Sequence, residues 1–305
     1  MYSVNQLLEG MKHPRMGLNE LQRIYYARLD RNETNLVDVP NEDWDSMAIL
    51  DACRYDAFER LSELPGALSK RRSKAPSTVE YLRANFTEKD MTDTVYVTAN
   101  PQFYRIENGI YDVEPIGCSF HEVVNVWKDG WDEDARTVHP ERVTQAALKA
   151  AESYPNKRLL IHYMQPHAPY IGPTGRAELP SDQLNFWGSY RRGHLDIDLD
   201  VAWKAYDENL ELALEEVSKL IKNLTGRIVV TSDHGELLGD RSGPLPYRKY
   251  GHPKGIHVPE LVEIPWLVYS HGPRPRITAE GTSESVRDVD EDIVVDRLRS
   301  LGYAE

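Results

Sequence analysis

The chain has 305 residues, 40% apolar and 28% charged, which is enough apolar material for a sizeable core and excludes a collagen-like, low-complexity or disordered chain. Lys plus Arg number 36 against 49 Asp plus Glu, a formal charge of −13, which argues against nucleic acid as a main partner because phosphate backbones select Lys/Arg surfaces. Two cysteines, Cys53 and Cys118, exclude a disulfide scaffold, and no apolar run reaches the roughly 18 residues of a membrane span. The opening residues, Met1 to Gln6, carry neither a basic stretch nor an apolar one, so no secretory signal is read and a cytoplasmic location is expected.

Residues 1–40 read as a helical arm packed on one main domain over 41–305: Leu7, Leu8 and Met11 share a face before Pro14, and Leu18, Leu21 and Tyr25 continue it. Apolar runs then follow at Met47–Leu50, Thr94–Thr98, Leu159–Tyr163, Ile228–Thr231 and Ile264–Tyr269. Continuous rather than alternating runs suit strands buried on both faces. Helical patterns separate them, at Pro140–Tyr154 with proline in the first turn and at Trp203–Leu224. The alternation predicts an α/β fold, a three-layer αβα sandwich with a mostly parallel central sheet. The stretches 101–131 and 171–200 lack periodicity and read as long loops. Thr278 to Asp290 reads as another loop, before a closing helix carrying Ile293, Val294, Leu298 and Leu301.

In such sheets the chemistry lies beyond the carboxyl ends of the strands. Those ends carry Asp51, Asn100, His167, Asp233 and His234. In Ser232-Asp233-His234-Gly235-Glu236 a carboxylate and an imidazole stand side by side, and Gly235 is expected to permit the turn that lets both reach a metal. Asp51 is the natural third ligand, and this donor set suits Zn or Mn ahead of Mg or Ca. Ser77-Thr78-Val79-Glu80 has the S-x-x-E capping-box pattern ahead of Val79, Leu82 and Phe86. If Ser77 caps the helix its oxygen is occupied, and Thr78 is the freer of the two candidate nucleophiles. His167, framed by Pro166 and Pro169, reads as an anion ligand or general acid. His162, inside its run, reads as a core histidine. His252, Lys254 and His257 gather in a Gly/Pro loop, where Lys254 is a candidate cationic clamp on a tetrahedral oxyanion.

Together these segments resemble the alkaline phosphatase-like superfamily, its sulfatase-like branch most closely. Ile49 to Asp56 is similar to the family's first strand, I-L-x-D-D-L-R-x-D, and His162 to Tyr170 to its H-Y-x-x-P-H-x-P-Y. Ser232 to Glu236 matches S-D-H-G-E, Lys254 and Pro265 match the spacing of its K-G…V-P segment, and Leu298 to Tyr303 resembles a common sulfatase ending. The resemblance implies a metal-dependent hydrolase or transferase acting on a small-molecule, glycan or lipid phosphate or sulfate ester. One divalent ion would be held by Asp51, Asp233 and His234 with His252 completing the set, and Ser77 or Thr78 would attack. Asn100, His167, Lys254 and His257 would hold the substrate. The formylglycine cysteine of sulfatases is absent near Ser77, which favours phosphoester chemistry. Ala52 and Tyr163 stand where two-metal members carry carboxylates, which points to a single ion. The competing expectation is a sulfatase-fold binding module with little turnover.

Overall fold

A run of β-branched and other apolar residues with no polar break can be satisfied only between two covering layers. In the computed structural model of the chain, which describes residues 14–28, 35–111, 113–180, 186–191, 195–245, 247–279 and 291–303, the expected runs become such strands. In chain order the elements are α1 (Pro14–Arg28), β1 (Ser46–Leu50), α2 (Tyr55–Leu61), β2 (Ala67–Arg72), α3 (Thr78–Phe86), β3 (Asp90–Thr98), α4 (Gln102–Glu107), β4 (Ser119–Asn125) and α5 (Val126–Asp129). Then come β5 (Trp131–Asp132), β6 (Thr137–Val138), α6 (Pro140–Ser153), β7 (Arg158–Tyr163), α7 (Pro173–Glu178), α8 (Phe186–Arg191) and α9 (Leu199–Asn223). The chain continues through β8 (Gly226–Ser232), β9 (Leu237–Asp240), β10 (Lys249–Gly251), α10 (Pro259–Val262), β11 (Glu263–His271) and α11 (Glu291–Ser300).

Seven strands form one sheet in the order β2-β11-β8-β1-β7-β3-β4. Neighbours from β8 through β4 pair parallel, whereas β11 runs antiparallel to both β8 and β2. The sheet is therefore mostly parallel, with a reversed strand at one side. Residues of alternate parity face opposite layers. Met47, Ile49, Leu160 and Val229 pack with Tyr81, Leu82 and Phe86 of α3. Ala48, Leu50, Leu159, Ile161 and Val230 pack with Val143 of α6, Leu210 and Val217 of α9 and Leu298 of α11. Each fully buried branched side chain contributes roughly 1.5–3 kcal/mol of transfer free energy, so both layers are held firmly to the sheet.

The unpredicted elements are those whose sequence carries no apolar run. The two edge strands, β2 (Ala-Leu-Ser-Lys-Arg-Arg) and β4, leave most residues partly or fully exposed, so nothing forces a continuous apolar pattern on them. The two stretches expected as loops contain α4, α5 and β4 in one case and α7 and α8 in the other, each too short to show a period. Helix α9 begins at Leu199, ahead of the expected Trp203, where Asp198 accepts a hydrogen bond from the Asp200 amide (3.0 Å). In α1 the expected inward face is reversed: Leu21 and Tyr25 are 59% and 45% exposed, while Gln22 is buried and donates to the Leu245 carbonyl (3.3 Å). Tyr26 packs on the small cluster of Leu237, Ile256 and Val258. Leu7, Leu8, Met11 and most of the expected 278–290 loop lie outside the described residues.

After β1 the chain turns sharply through Asp51–Arg54, with Ala52 at φ +61°, a region that side-chain-bearing residues avoid. Tyr206 of α9 secures this turn: its hydroxyl accepts from the Arg54 amide and donates to the Ala52 carbonyl, both at 2.9 Å. Tyr206→Phe leaves two buried backbone groups unpaired, which costs about 1–3 kcal/mol. Urea denaturation should show a lower midpoint with an unchanged m-value.

Candidate functional site

The four strands β8, β1, β7 and β3 are consecutive neighbours, so their carboxyl ends deliver side chains to one place. Asp51 follows β1, Asp233 and His234 follow β8, and His162 sits in the last turn of pairing in β7, opposite Ile49. A ligand atom from each of Asp51, His162 and Asp233 lies within 4.8 Å of the other two. His234 Nε2 is 3.7 Å from Asp51 Oδ1 and 3.4 Å from Asp233 Oδ2. Thr78 Oγ1, on the first residue of α3, is 3.1 Å from His234 Nε2. All five side chains are buried.

Each carboxylate is tethered by one oxygen. Asp51 Oδ2 accepts from Asn100 Nδ2 (2.7 Å) and the Tyr303 hydroxyl (3.1 Å), and Asp233 Oδ1 accepts from the amides of Ala52 (3.1 Å) and His234 (2.8 Å). Asp51 Oδ1 and Asp233 Oδ2 accept no hydrogen bond, although both are sealed from water. The strand ends themselves are latched: Ser232 Oγ accepts from the Cys53 amide (2.9 Å) and donates to the Leu50 carbonyl (2.7 Å), while Ser73 Oγ donates to the Asp233 carbonyl (2.5 Å). Gly235 is required for space rather than for the turn expected of it. Its backbone is not in the left-handed region, but an added Cβ would stand 2.1 Å from the Glu260 carbonyl oxygen.

The imidazoles are oriented the same way. Carbonyl oxygens only accept, so His234 Nδ1 donates to Gly235 (2.7 Å) and His167 Nδ1 donates to Ala168 (2.5 Å), leaving each Nε2 with its lone pair. His252 Nδ1 faces Glu236 Oε1 at 3.1 Å. Burial lowers the pKa of His234, and pushes both His162 and His167 down to about 4, so these rings are neutral donors of electron pairs near pH 7. Burial, and then the neighbouring Asp233 charge, raise Asp51 well above the ordinary carboxylate range. For Asp233 burial also opposes ionisation, but His234, His162 and the Ala52 amide outweigh it and its pKa is lowered.

Two inward carboxylate oxygens without donors, next to neutral imidazole nitrogens, fit a divalent cation. With its pKa raised, Asp51 holds its proton to higher pH than an ordinary carboxylate, and an incoming ion would compete with that proton. Metal affinity should therefore climb as pH rises through the Asp51 titration and level off above it, as measured by calorimetric titration with Zn or Mn. Asp51→Asn should abolish that binding yet stabilise the metal-free fold by about 1–2 kcal/mol near neutral pH, since the folded state no longer has to bury a carboxyl group whose pKa is raised on folding. Denaturant melts of the two metal-free chains check this.

Thr78, Ser77, His167, His252 and Lys254 line a cavity of about 220 Å³, together with Gln102, Arg105, Trp187 and Tyr303. Ala168, Phe186 and Leu301 are shared between it and a second cavity of about 320 Å³, which Tyr170, Arg136 and Arg176 also line. Of the two candidate nucleophiles, Thr78 points into the donor cluster. Ser77 is the residue before the helix, but its hydroxyl donates to the Glu80 carboxylate (2.9 Å) rather than capping a backbone amide.

Several expected roles need correction. Asn100 is not a substrate contact: Nδ2 donates to Asp51 and to Tyr303 (3.3 Å), and Oδ1 accepts from the Gln102 amide (2.9 Å), so the whole amide is spent supporting Asp51. His257 turns away from the cavity and packs near the Tyr26 ring (6.4 Å between centroids), because the loop after Gly255 dives into the Leu237–Val258 cluster. His252 lies beside His234, with ring centroids 4.6 Å apart, and also forms a second group with His167 and Glu236, whose donor atoms lie within 4.8 Å of one another. His162 is buried, as a core histidine would be, but its Nε2 faces Asp233 Oδ2 at 3.7 Å.

Sequence reasoning passed over Glu236 and Tyr303. Glu236 lies three residues after Asp233 in the same strand-end segment, and only the return of His252 beside it reveals its position. Tyr303 stacks on His167 (5.3 Å, 25°) while its hydroxyl reaches Asp51. A tyrosine so distant in the chain from Asp51 carries no local signal.

The fold and this cluster define a mixed α/β protein with a carboxylate–imidazole centre at the ends of parallel strands. No family model matches the chain, and no curated protein matches it. Among solved structures it is similar to the C-terminal periplasmic domain of EptC from Escherichia coli in complex with Zn, at 16% identity over 77% of this chain and 75% of that one, with a TM-score of 0.48. It is also similar to the soluble domain of lipooligosaccharide phosphoethanolamine transferase A from Neisseria meningitidis, at 13% identity over 79% and 82% of the two chains (TM-score 0.49). A third is a protein in the alkaline phosphatase superfamily from Vibrio parahaemolyticus, at 12% identity over 86% and 69% (TM-score 0.40).

Proposed function

We propose that this chain is a metal-dependent hydrolase or transferase of phosphate or sulfate esters, with phosphoesters preferred and Thr78 as its nucleophile. The observation that carries the reading is the position of Thr78 Oγ1, 3.1 Å from His234 Nε2 and facing the cavity. As the first residue of α3, Thr78 also sits where free backbone amides and the helix dipole favour an anion.

Asp51, Asp233 and His234 would hold a divalent ion, which when bound would supply positive charge beside a deprotonated Thr78 oxygen. The protein's own groups do the rest. Thr78 Oγ1 gives up its proton to solvent and bonds to the phosphorus or sulfur as the bond to the ester oxygen breaks; the departing oxygen takes a proton from solvent, and water or an acceptor alcohol then displaces Thr78, losing a proton as the threonine oxygen regains one. His167 and His252, whose ring centroids are 5.2 Å apart, present Nε2 toward the equatorial oxygens, and Lys254 adds a mobile positive charge at the rim. Phe186 lines both this cavity and the larger one and Trp187 lines this one, a setting for the remainder of the ester. The absence of a cysteine near Ser77 supports phosphorus over sulfur, because the formylglycine route needs one.

The test is hydrolysis of an aryl phosphate, a phosphodiester and an aryl sulfate by the metal-loaded chain. Thr78→Ala should lower kcat on the order of 10³-fold or more, and Ser77→Ala by less than about tenfold. Intact-mass analysis of a quenched reaction should show a covalent adduct on Thr78. Undiminished turnover by Thr78→Ala removes it as nucleophile. No turnover of any of the three esters, with stoichiometric metal bound, favours a binding module.

A further inference from the structure

We infer that His162 is an additional ligand of the proposed cation, so that the site is built from two carboxylates and two imidazoles, with the Thr78 hydroxyl beside them. This rests on the reading above that a divalent ion is held by Asp51, Asp233 and His234. Three observations lead to it.

First, His162 Nε2 is fully buried and makes no hydrogen bond. An ordinary core histidine satisfies both nitrogens, and leaving one unpaired costs about 1–3 kcal/mol. Second, the separations around it are those of atoms sharing an ion. Bonds of about 2.0–2.2 Å put two ligand atoms on one ion roughly 3–4 Å apart. His162 Nε2 stands 3.7 Å from Asp233 Oδ2, too far for a hydrogen bond, and His234 Nε2 stands 3.4 and 3.7 Å from Asp233 and Asp51. Third, the far side of the ring is anchored. Nδ1 is 2.9 Å from the Tyr96 hydroxyl oxygen, and the two rings stack at 29°. A proton on Nδ1 donated to Tyr96 leaves the Nε2 lone pair aimed at the carboxylates, the arrangement a ligating histidine needs. The backbone cannot swing the ring away, since His162 pairs with Ile49 on one side and Thr98 on the other.

The consequence is selectivity. Two neutral imidazoles and two carboxylates balance a divalent charge and favour Zn or Mn, whereas Mg and Ca prefer all-oxygen shells. Removing His162 should therefore weaken Zn and Mn binding more than Mg or Ca binding.

The full chain is titrated with Zn, Mn and Mg by competition with a chromophoric chelator, as wild type, His162→Gln and His234→Gln. Expected is Zn binding weakened about tenfold or more in His162→Gln, with Mg affinity changed less, and a Co-substituted visible spectrum that differs from wild type at saturation. Equal Zn affinity and an identical saturated Co spectrum would overturn the inference and leave the ester-chemistry reading standing. Failure of the wild-type chain to bind any of the ions would sink both. Should His162→Gln not fold, X-ray absorption on the chain carrying His167→Gln and His252→Gln, loaded with one equivalent of Zn, decides the matter. Two coordinated imidazoles support His162 as a ligand, and one imidazole excludes it.

Discussion

Two carboxylates with bare oxygens face each other in a place water does not reach, and much of the surrounding structure is arranged about that repulsion. At a few ångströms and a protein-like dielectric, such a pair costs several kcal/mol if both members are charged. Asp51 meets it by holding a proton, while the second oxygen of each residue is pinned by amides, Asn100 or Tyr303. The outer hydrogen bonds fix the directions in which the inner oxygens point, so they cannot turn away from each other. A fold that holds two buried carboxyl groups so firmly oriented toward each other keeps them at a cost to its own stability, as functional sites commonly do.

The sheet order makes the pair possible. Because β8 and β1 are parallel neighbours, residues just past their ends emerge side by side, and β7 and β3 add His162, His167 and Asn100 from the other flank. The reversed strand β11 ends at His271 beside Gly226, at the opposite edge, and only its amino end approaches the site's edge, where the preceding Leu261 carbonyl accepts from the Gly235 amide (2.8 Å). Opposite the carboxylates, α3 brings Thr78 in at its first turn, and the loop after β10 brings His252 and Lys254.

Much of this was readable in the residues. Uninterrupted apolar runs identified five strands, because burial on both faces leaves no room for polar residues, and the polar residues ending them marked the site's edge of the sheet. Asp51, Asp233 and His234 were recognisable for the same reason: ionisable groups directly after a buried strand have few structural uses. Edge strands β2 and β4 were not readable, since one free edge tolerates Lys, Arg and Glu. The surroundings of His162 were not readable, because position inside an apolar run says that a side chain is buried, not what it meets, and Asp233 reaches it from another strand. For Asn100 and His257 the neighbourhood was legible but not the partners: those that consume Asn100, and the Tyr26 ring beside which His257 is buried, come from elsewhere in the chain. Glu236 and Tyr303 depend on chain reversals that no short window contains.

One helix carries more of this than its sequence suggests. On α9, Trp203 lies under the Arg54 guanidinium (4.8 Å), Tyr206 grips the Ala52–Arg54 turn, and Asn209 binds the carbonyls of His167 and Pro169 and the Ile171 amide. These three positions recur every third residue along a single stripe. Inserting or deleting one amino acid upstream of them would rotate that stripe by about 100° and release both loops together, while β1, β7 and β8 kept their pairing. The register of a single covering helix is thus a hidden determinant of the geometry of the candidate site, and length variation in it should be far less tolerated than in the outer ends of the sheet.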